Sequence, residues 1–326
     1  MKETALVTGA AGFIGSNLVE RLCDSGYRVI GLDNFDDFYS PALKWSNIRP
    51  VVEREGFTLV RGDIRDQAML ARVFQGNHID QVVHLAARAG VRPSLKDPAL
   101  YDEVNILGTI NVLEESRKTG VGRVVFASSS SVYGTNSSVP FKEEDKIDQP
   151  ASPYGATKAA GELFCYTYSH LYNLPVTALR FFTVYGPRQR PEMAIHMFTR
   201  MIDAGEEITV FGGEASQRDY TYIDDIVDGI MGAMNYRRPG FSVFNLGDSR
   251  PVALSYLIQT IEKSLGKKAR IKLAGMQPGD VPITYADISK AKQLLNYKPE
   301  VTIEAGVARF VEWYRKTMAP ARFSVV

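Results

Sequence analysis

The sequence is poor in most of the features that mark a specialised environment. Of 326 residues only two are cysteine, Cys23 and Cys165, and each falls in a segment of helical pattern. Two such thiols make no disulfide framework; both read as ordinary buried cysteines and fit a reducing cytoplasm. No Cys/His cluster has metal-ligand spacing, so no metal is expected. No apolar run reaches the length of a membrane span, and the first strand begins so near Met1 that no signal peptide is expected ahead of it. An excess of one charge is missing too. Against 38 Lys and Arg stand 37 Asp and Glu, a net +1 without a long basic run, which gives nucleic-acid binding no support. There is no internal repeat and no low-complexity segment. What remains, 45% hydrophobic and 23% charged residues, suits one large or two small globular domains with a proper core.

The richest stretch lies near the start. An apolar strand, Thr4 to Val7, runs into Thr8-Gly9-Ala10-Ala11-Gly12-Phe13-Ile14-Gly15, then into an amphipathic helix from Phe13 to Ser25 closed by Gly26. A second strand, Arg28 to Leu32, ends at Asp33. Strand, glycine turn, helix, strand and terminal acid make a dinucleotide-binding βαβ unit. Gly9 permits the tight turn, Gly12 lets backbone approach a pyrophosphate, and Gly15 lets the helix pack close to the strand. The helix N-terminus offers unpaired N–H groups to phosphates. Asp33, eighteen residues beyond Gly15, can accept from both ribose hydroxyls and would repel a 2′-phosphate, which points to NAD rather than NADP.

Further along, Asn34 to Pro50 reads as a turn-rich, then helical insertion. A third strand, Phe57 to Val60, precedes Asp63, which can either hydrogen-bond an adenine amino group or cap the helix that follows Arg65. A fourth strand, Gln81 to Ala87, ends in small residues that permit close cofactor approach; its His84 reads as a packed strand residue. A helix is expected from Tyr101 to Lys118. The fifth strand, Val124 to Ala127, runs directly into Ser128-Ser129-Ser130-Ser131, where strand ends face the ligand crevice. Ser152 and Pro153 open a helix to about Leu171, and Val176 to Phe182 is a sixth strand. Beyond Gly186-Pro187 the alternation turns irregular. Helices Met193–Ala204, Ile223–Asn235, Ala253–Leu265, Ser289–Leu295 and Ile303–Thr317 alternate with strands Ile208–Phe211 and Val243–Leu246. The expected division is a Rossmann-like doubly wound domain over residues 1–180 and a smaller α/β substrate lobe over 181–326, with segments near 223–247 returning to the first.

Tyr154 and Lys158 are four apart and share a helix face. With Ser129 at a strand end they form an acid–base constellation. A free tyrosine hydroxyl titrates near pH 10 and is a poor base at neutral pH, but an adjacent ammonium and a positive nicotinamide ring both favour phenolate. Such a base can take a proton from a secondary alcohol while hydride leaves its carbon.

These segments together resemble the extended short-chain dehydrogenase/reductase family. Arg180–Pro187 and Arg218–Asp225 are similar to segments of its nucleotide-sugar members. The resemblance is greatest to the UDP-glucuronate 4-epimerases, through Asp33-Asn34-Phe35, Ser40–Lys44, Ala89–Arg92, Arg190–Ala194 and Gly279–Pro282. It implies Tyr154 as base, Lys158 as its electrostatic partner and ribose ligand, and Ser129 as hydroxyl partner. For NAD it implies Gly9, Gly12, Phe13, Ile14, Gly15, Asp33 and Asn34, then Asp63, Ile64, Leu85, Ala86, Ala87 and Asn105. For the UDP-sugar it implies Arg218 at the diphosphate, Ser130 and Thr183 at the sugar carboxylate, and Arg190, Arg88, Val91 and Asp280 in the same site. Gln277 stands where related UDP-galactose epimerases have a second arginine. The strand end carries Ser130-Ser131 where sugar-nucleotide dehydratases carry Asp-Glu to drive elimination. The resemblance also implies a homodimer built on the helices of Tyr101–Lys118 and Pro153–Leu171, with Ile110, Leu113, Phe164 and Tyr166 as candidate contacts. The competing readings are a 4-epimerase of a neutral UDP-hexose or UDP-N-acetylhexosamine, and an NAD-binding scaffold without catalysis.

Overall fold

The computed structural model describes residues 3–212, 216–275 and 283–318. β1 (Thr4–Thr8) is buried along its length, and α1 (Phe13–Asp24) turns Leu18, Val19 and Leu22 into the core. There follow β2 (Arg28–Asp33), α2 (Pro41–Val52), β3 (Phe57–Arg61), α3 (Gln67–Gln75) and β4 (Gln81–His84). Two short helices, α4 (Val91–Ser94) and α5 (Pro98–Asp102), lead into a π-helical turn, Glu103–Leu107, and α6 (Gly108–Lys118). The continuous helix expected from Tyr101 to Lys118 is therefore interrupted. The wide turn brings in Asn105, whose buried amide bonds to a neighbouring loop and helix, and such turns gather at functional sites.

β5 (Arg123–Ser129) ends in a 3₁₀ turn, Ser130–Tyr133, followed by α7 (Pro153–Tyr172) and β6 (Val176–Phe181). Then come β7 (Thr183–Tyr185), α8 (Ala194–Ala204), β8 (Glu207–Phe211), β9 (Gln217–Tyr222), α9 (Ile223–Asn235) and β10 (Phe241–Leu246). The chain closes with β11 (Pro251–Ala253), α10 (Leu254–Leu265), β12 (Arg270–Ala274), β13 (Ile283–Thr284), α11 (Ser289–Leu295) and α12 (Ile303–Thr317).

Seven strands form one parallel sheet in the order β10-β6-β5-β4-β1-β2-β3. The chain winds from β1 to one edge, then resumes beside β1 with β4 and winds to the other. The order reverses between β1 and β4, and the crevice at the carboxyl ends of these strands is where such sheets bind ligands. Side-chain alternation separates the two faces. Ala5 and Val7 pack with α1 and α9, whereas Leu6 packs with Leu70 of α3 and Val112 of α6. This is a Rossmann-like α/β fold. β10 pairs with β6 along its whole length, so the chain re-enters the large sheet after leaving it at Phe181.

The remaining strands make two small sheets. β9 is central to one, with β11 antiparallel and β7 and β13 parallel to it; β8 and β12 form a parallel pair. Of these strands the sequence pattern exposes β8 alone. β7, β11 and β13 span two or three residues, and β12 is mostly exposed. Asp219 does in this lobe what a wide ladder does in the large sheet: its buried carboxylate accepts from the backbone N–H groups of Asp248 (2.6 Å), Ser249 (3.0 Å) and Ala286 (3.0 Å). Two expectations need correction. Cys165 is buried, but Cys23 is only half-buried. Leu113 lies in the core against the sheet, 1% exposed, so it cannot contribute to a contact between copies. Among the described residues no helix is long and apolar enough to cross a membrane.

Candidate active site

A cleft of about 280 Å³ opens at the carboxyl ends of β1 and β4. Its cofactor side is mainly backbone. Gly9 has φ 72°, and a Cβ on Gly15 would stand 2.0 Å from the Gly9 carbonyl oxygen, so only glycine lets α1 begin where it does. Gly12 is the N-cap of α1, but no side chain caps this helix and its first turn carries no acid. The N–H groups of that turn are left for an anion. Each Asp33 oxygen accepts one backbone N–H, from Ala11 (3.0 Å) and Phe35 (2.8 Å), and keeps a lone pair for a hydroxyl donor. Burial raises the Asp33 pKa, while these N–H groups and the Lys44 ammonium oppose the rise. Asn34, Ile64, Leu85, Ala86 and Ala87 line the same cleft, as do Phe13 and Ile14. A glycine cradle that a Cβ would fill, an uncapped helix end and a carboxylate with free lone pairs fit a dinucleotide.

Asp63 also lines the cleft, and one of its two readings falls. The cap of α3 is Asp66, which accepts from Met69 N–H at 2.9 Å. Asp63 instead accepts from Arg65 through backbone and guanidinium and from Asn34 (2.9 Å), and the Arg65 hydrogen bond holds its pKa down at about 2.

Tyr154, Lys158 and Ser129 meet in the cleft. Ser152 caps α7 by accepting from Gly155 N–H at 3.1 Å. A Cβ on Gly155 would lie 2.5 Å from the Ser131 carbonyl oxygen, so glycine there lets the helix start against the serine turn. Lys158 Nζ donates to the Ala127 carbonyl at 2.7 Å, and burial brings its pKa down to about 8. Burial raises the Tyr154 pKa, and the groups that oppose this are the Ser129 hydroxyl, hydrogen-bonded to it, and the Arg190 guanidinium. A shared helix face aligns the two residues, but the lysine amine is turned to the end of β5.

A buried network fixes that end. Ser128 Oγ donates to Glu162 (2.5 Å), and Glu162 takes a bidentate pair from Arg180 (2.9 and 2.8 Å). Behind the cleft, Asn105 is 2% exposed. Its Oδ1 accepts from Arg88 N–H (2.7 Å), and its Nδ2 donates to the Arg88 carbonyl (2.9 Å) and to Thr157 Oγ1 (3.0 Å). The π-helical turn thus ties the loop after β4 to α7 between Tyr154 and Lys158. His84 is buried between Thr8 (2.7 Å) and Thr109 (3.1 Å), with its pKa brought down by burial to about 3, so it is a neutral packed residue.

The sugar-side candidates are less tightly gathered. Arg88 and Arg190 line the cleft. Ser130 and Thr183 are half-buried, at the start of the 3₁₀ turn and of β7, beside the lining residues Ser129, Phe182 and Val184. Val91 begins α4, and Arg218 lies on β9 with Nη1 donating to the Gln217 carbonyl at 2.8 Å. Asp280 and Gln277 lie outside the described residues. The structure adds Asp36, Phe38, Tyr39 and Lys44 to the lining. The signal for them was the run of Asx residues after β2: Asp33, Asn34 and Asp36 accept in turn from the N–H groups of residues 35, 36 and 38, which winds the insertion back over the cleft. A larger groove of about 920 Å³ between α10 and β12 is lined by Lys263, Lys267, Glu262 and apolar side chains and carries none of the acid–base residues.

The model of the family described as GDP-mannose 4,6 dehydratase matches residues 6–310. The chain is 43% identical over 314 residues to the UDP-glucuronate 4-epimerase of Thermodesulfobacterium geofontis, covering 96% of each. Among solved structures, it is similar to UDP-glucuronic acid 4-epimerase from Bacillus cereus in complex with UDP-glucuronic acid and NAD. That match has a TM-score of 0.91 at 38% identity and covers 96% of this chain and 99% of that one. It is also similar to UDP-glucose 4-epimerase from Thermotoga maritima with UDP-glucose, with a TM-score of 0.88 at 35% identity, covering 97% and 99%.

Proposed function

Because the chain belongs to the GDP-mannose 4,6 dehydratase family, among the extended short-chain dehydrogenase/reductases, we propose that it is an NAD-dependent 4-epimerase interconverting UDP-glucuronate and UDP-galacturonate. One observation favours epimerisation over the elimination in the family's name. Among the described residues lining the cleft the carboxylates are Asp33, Asp36 and Asp63, from β2, the loop after it and the loop after β3. None belongs to the strand end that carries Ser129, where elimination of water would need an acid–base pair. The uronate rests on the similarity to UDP-glucuronate 4-epimerases.

Bound NAD supplies the hydride acceptor and donor at C4. Tyr154 takes the proton of the 4-hydroxyl as C4 is oxidised and returns it after the 4-keto sugar has presented its other face. Ser129 shares the hydrogen bond to that oxygen. Lys158 holds the ribose and the end of β5, and Arg218 anchors the diphosphate. The oxidised sugar is a β-keto acid and can lose CO₂. Hydrogen bonds from Ser130 and Thr183 hold the carboxylate bond near the carbonyl plane, where overlap with the π system is poor.

The enzyme is read as a cytoplasmic homodimer, with α6 and α7 pairing between copies. Leu163 and Tyr166 of α7 are exposed, at 64% and 53%. Incubation with UDP-glucuronate and UDP-glucose separately, with products resolved by NMR, tests the function: UDP-galacturonate is expected from the first, and preferential turnover of the second would overturn the substrate.

A further inference from the structure

We propose that Phe38 is a specificity-determining residue, whose ring holds the Arg190 guanidinium at the sugar side of the cleft and so sets the preference for a charged over a neutral sugar. The inference rests on the uronate reading and deepens it.

Phe38 comes from the loop between β2 and α2, far in sequence from either arginine. Its ring centroid lies 4.5 Å from the Arg88 guanidinium carbon and 5.6 Å from that of Arg190. All three side chains line the cleft. The Arg88 side of this stack is anchored. Arg88 pairs with Asp36, and its backbone is held at both N–H and carbonyl by Asn105. Phe38 is itself anchored through its N–H to Asp36 (2.8 Å), at the end of the Asx turns that start from Asp33. Arg190 comes from the loop after β7 and pairs at 3.2 Å with Glu192, whose side chain is 42% exposed. The phenyl ring is thus the link between the Arg190 guanidinium and the rigid, sheet-built half of the site.

The position matters because of what the charge reaches. Arg190 acts on Tyr154, Tyr101, Tyr39 and Lys44, so it stands within Coulombic range of the base that touches the 4-hydroxyl. In a uronate the carboxylate is borne on C5, one carbon from that centre. A cation fixed there attracts a carboxylate and gains little from a hydroxymethyl group. A cation–π contact depends on the aromatic face, not only on volume. Leucine keeps the bulk and loses the face; tyrosine keeps both.

The test compares wild type, Phe38→Leu and Phe38→Tyr for kcat/KM on UDP-glucuronate and UDP-glucose, and for the pH profile on the first. Phe38→Leu is expected to lower the UDP-glucuronate to UDP-glucose ratio by roughly three- to tenfold. It should also move the acid limb to higher pH, since Tyr154 loses part of a cation that favours phenolate. The groups facing Tyr154 are Ser129, Tyr101 and Arg190; those around Arg190 are Glu192, Tyr39, Lys44 and Arg88. Phe38→Tyr should retain the ratio and the limb. On a wild type that prefers UDP-glucuronate, an unchanged ratio in Phe38→Leu, or equal losses in both variants, overturns the inference alone. A wild type that prefers UDP-glucose overturns the uronate reading and the specificity role built on it.

Discussion

The two halves of the molecule position side chains by different means. In the sheet-built half, position follows from backbone. β1, β4 and β5 are fully buried parallel strands, and the residues just past their ends fall into the cleft because the strands end there. In the lobe, three of the strands span only two or three residues, and buried carboxylates act as staples. Asp219 gathers three backbone N–H groups from two distant loops, and Asp225 gathers those of Glu300 (3.1 Å) and Val301 (3.2 Å). A ladder is distributed, so losing one bond is tolerated. A staple is concentrated, so one side chain decides the geometry of several segments. The halves still share one core, running from Val7 and Leu18 to Phe310 and Tyr314.

The largest effect should come from the half that carries the chemistry. Tyr154→Phe removes the base and leaves the ring, its edge contact with Tyr101 (6.2 Å between centroids) and the lobe untouched. Turnover is expected to fall by about 10²–10⁴-fold with UDP-sugar affinity nearly unchanged, as read by calorimetry. Near-normal turnover would remove Tyr154 from the mechanism.

Asp219→Ala tests the staple. It leaves three backbone N–H groups, two of them buried and that of Ser249 half-buried, and the Thr221 hydroxyl without their acceptor. At about 1–3 kcal/mol for each orphaned donor, partly relieved by water, a loss of about 3–4 kcal/mol is expected. Hydrogen exchange should rise first at residues 247–249 and 286, while the β1–β4 amides stay protected. Uniform loss of protection through both halves would erase the distinction drawn between them.

That distinction also explains what the sequence made legible. The βαβ unit, the serine strand end and the Tyr154–Lys158 spacing are local patterns with local causes, so Gly9, Gly15, Asp33, Ser129 and Tyr154 could be named and meet in one cleft. β9 could not be read as a strand, since its Gln-Arg-Asp-Tyr-Thr-Tyr run is polar at its start and held by long-range contacts. Likewise, nothing local places Phe38 between arginines 50 and 152 residues away. The direction of the Lys158 amine was hidden for the same reason: it depends on the Ala127 carbonyl of another strand.

Thr183 stands at the seam, where the chain leaves β6 for the lobe. Thr183→Val keeps the shape of the side chain and removes its donor. A hydrogen bond to a charged group contributes roughly 1.5–3 kcal/mol, so turnover of UDP-glucuronate should fall about ten- to a hundredfold. The 4-keto-pentose or pentose fraction should rise as the carboxylate leaves the carbonyl plane. Unchanged activity without decarboxylated product would place carboxylate recognition elsewhere.

The smallest effect compares the two halves through the same device. Ser152 caps α7 with a 3.1 Å bond to Gly155 N–H, and Thr302 caps α12 of the lobe with a 3.4 Å bond to Ala305 N–H. The α7 bond is buried and the α12 bond exposed, and a longer exposed bond holds less. Ser152→Ala should therefore cost about 1 kcal/mol, near the centre of the range for N-caps, and Thr302→Ala about 0.5 kcal/mol. Thermal melts followed by circular dichroism should give a lower Tm for Ser152→Ala than for Thr302→Ala. In the first variant kcat should drop more than substrate affinity, because the first turn of α7 carries Tyr154. Equal shifts in Tm with unchanged kcat would show that α7 is positioned by Asn105, Thr157 and the sheet beneath it, and that its cap contributes only stability.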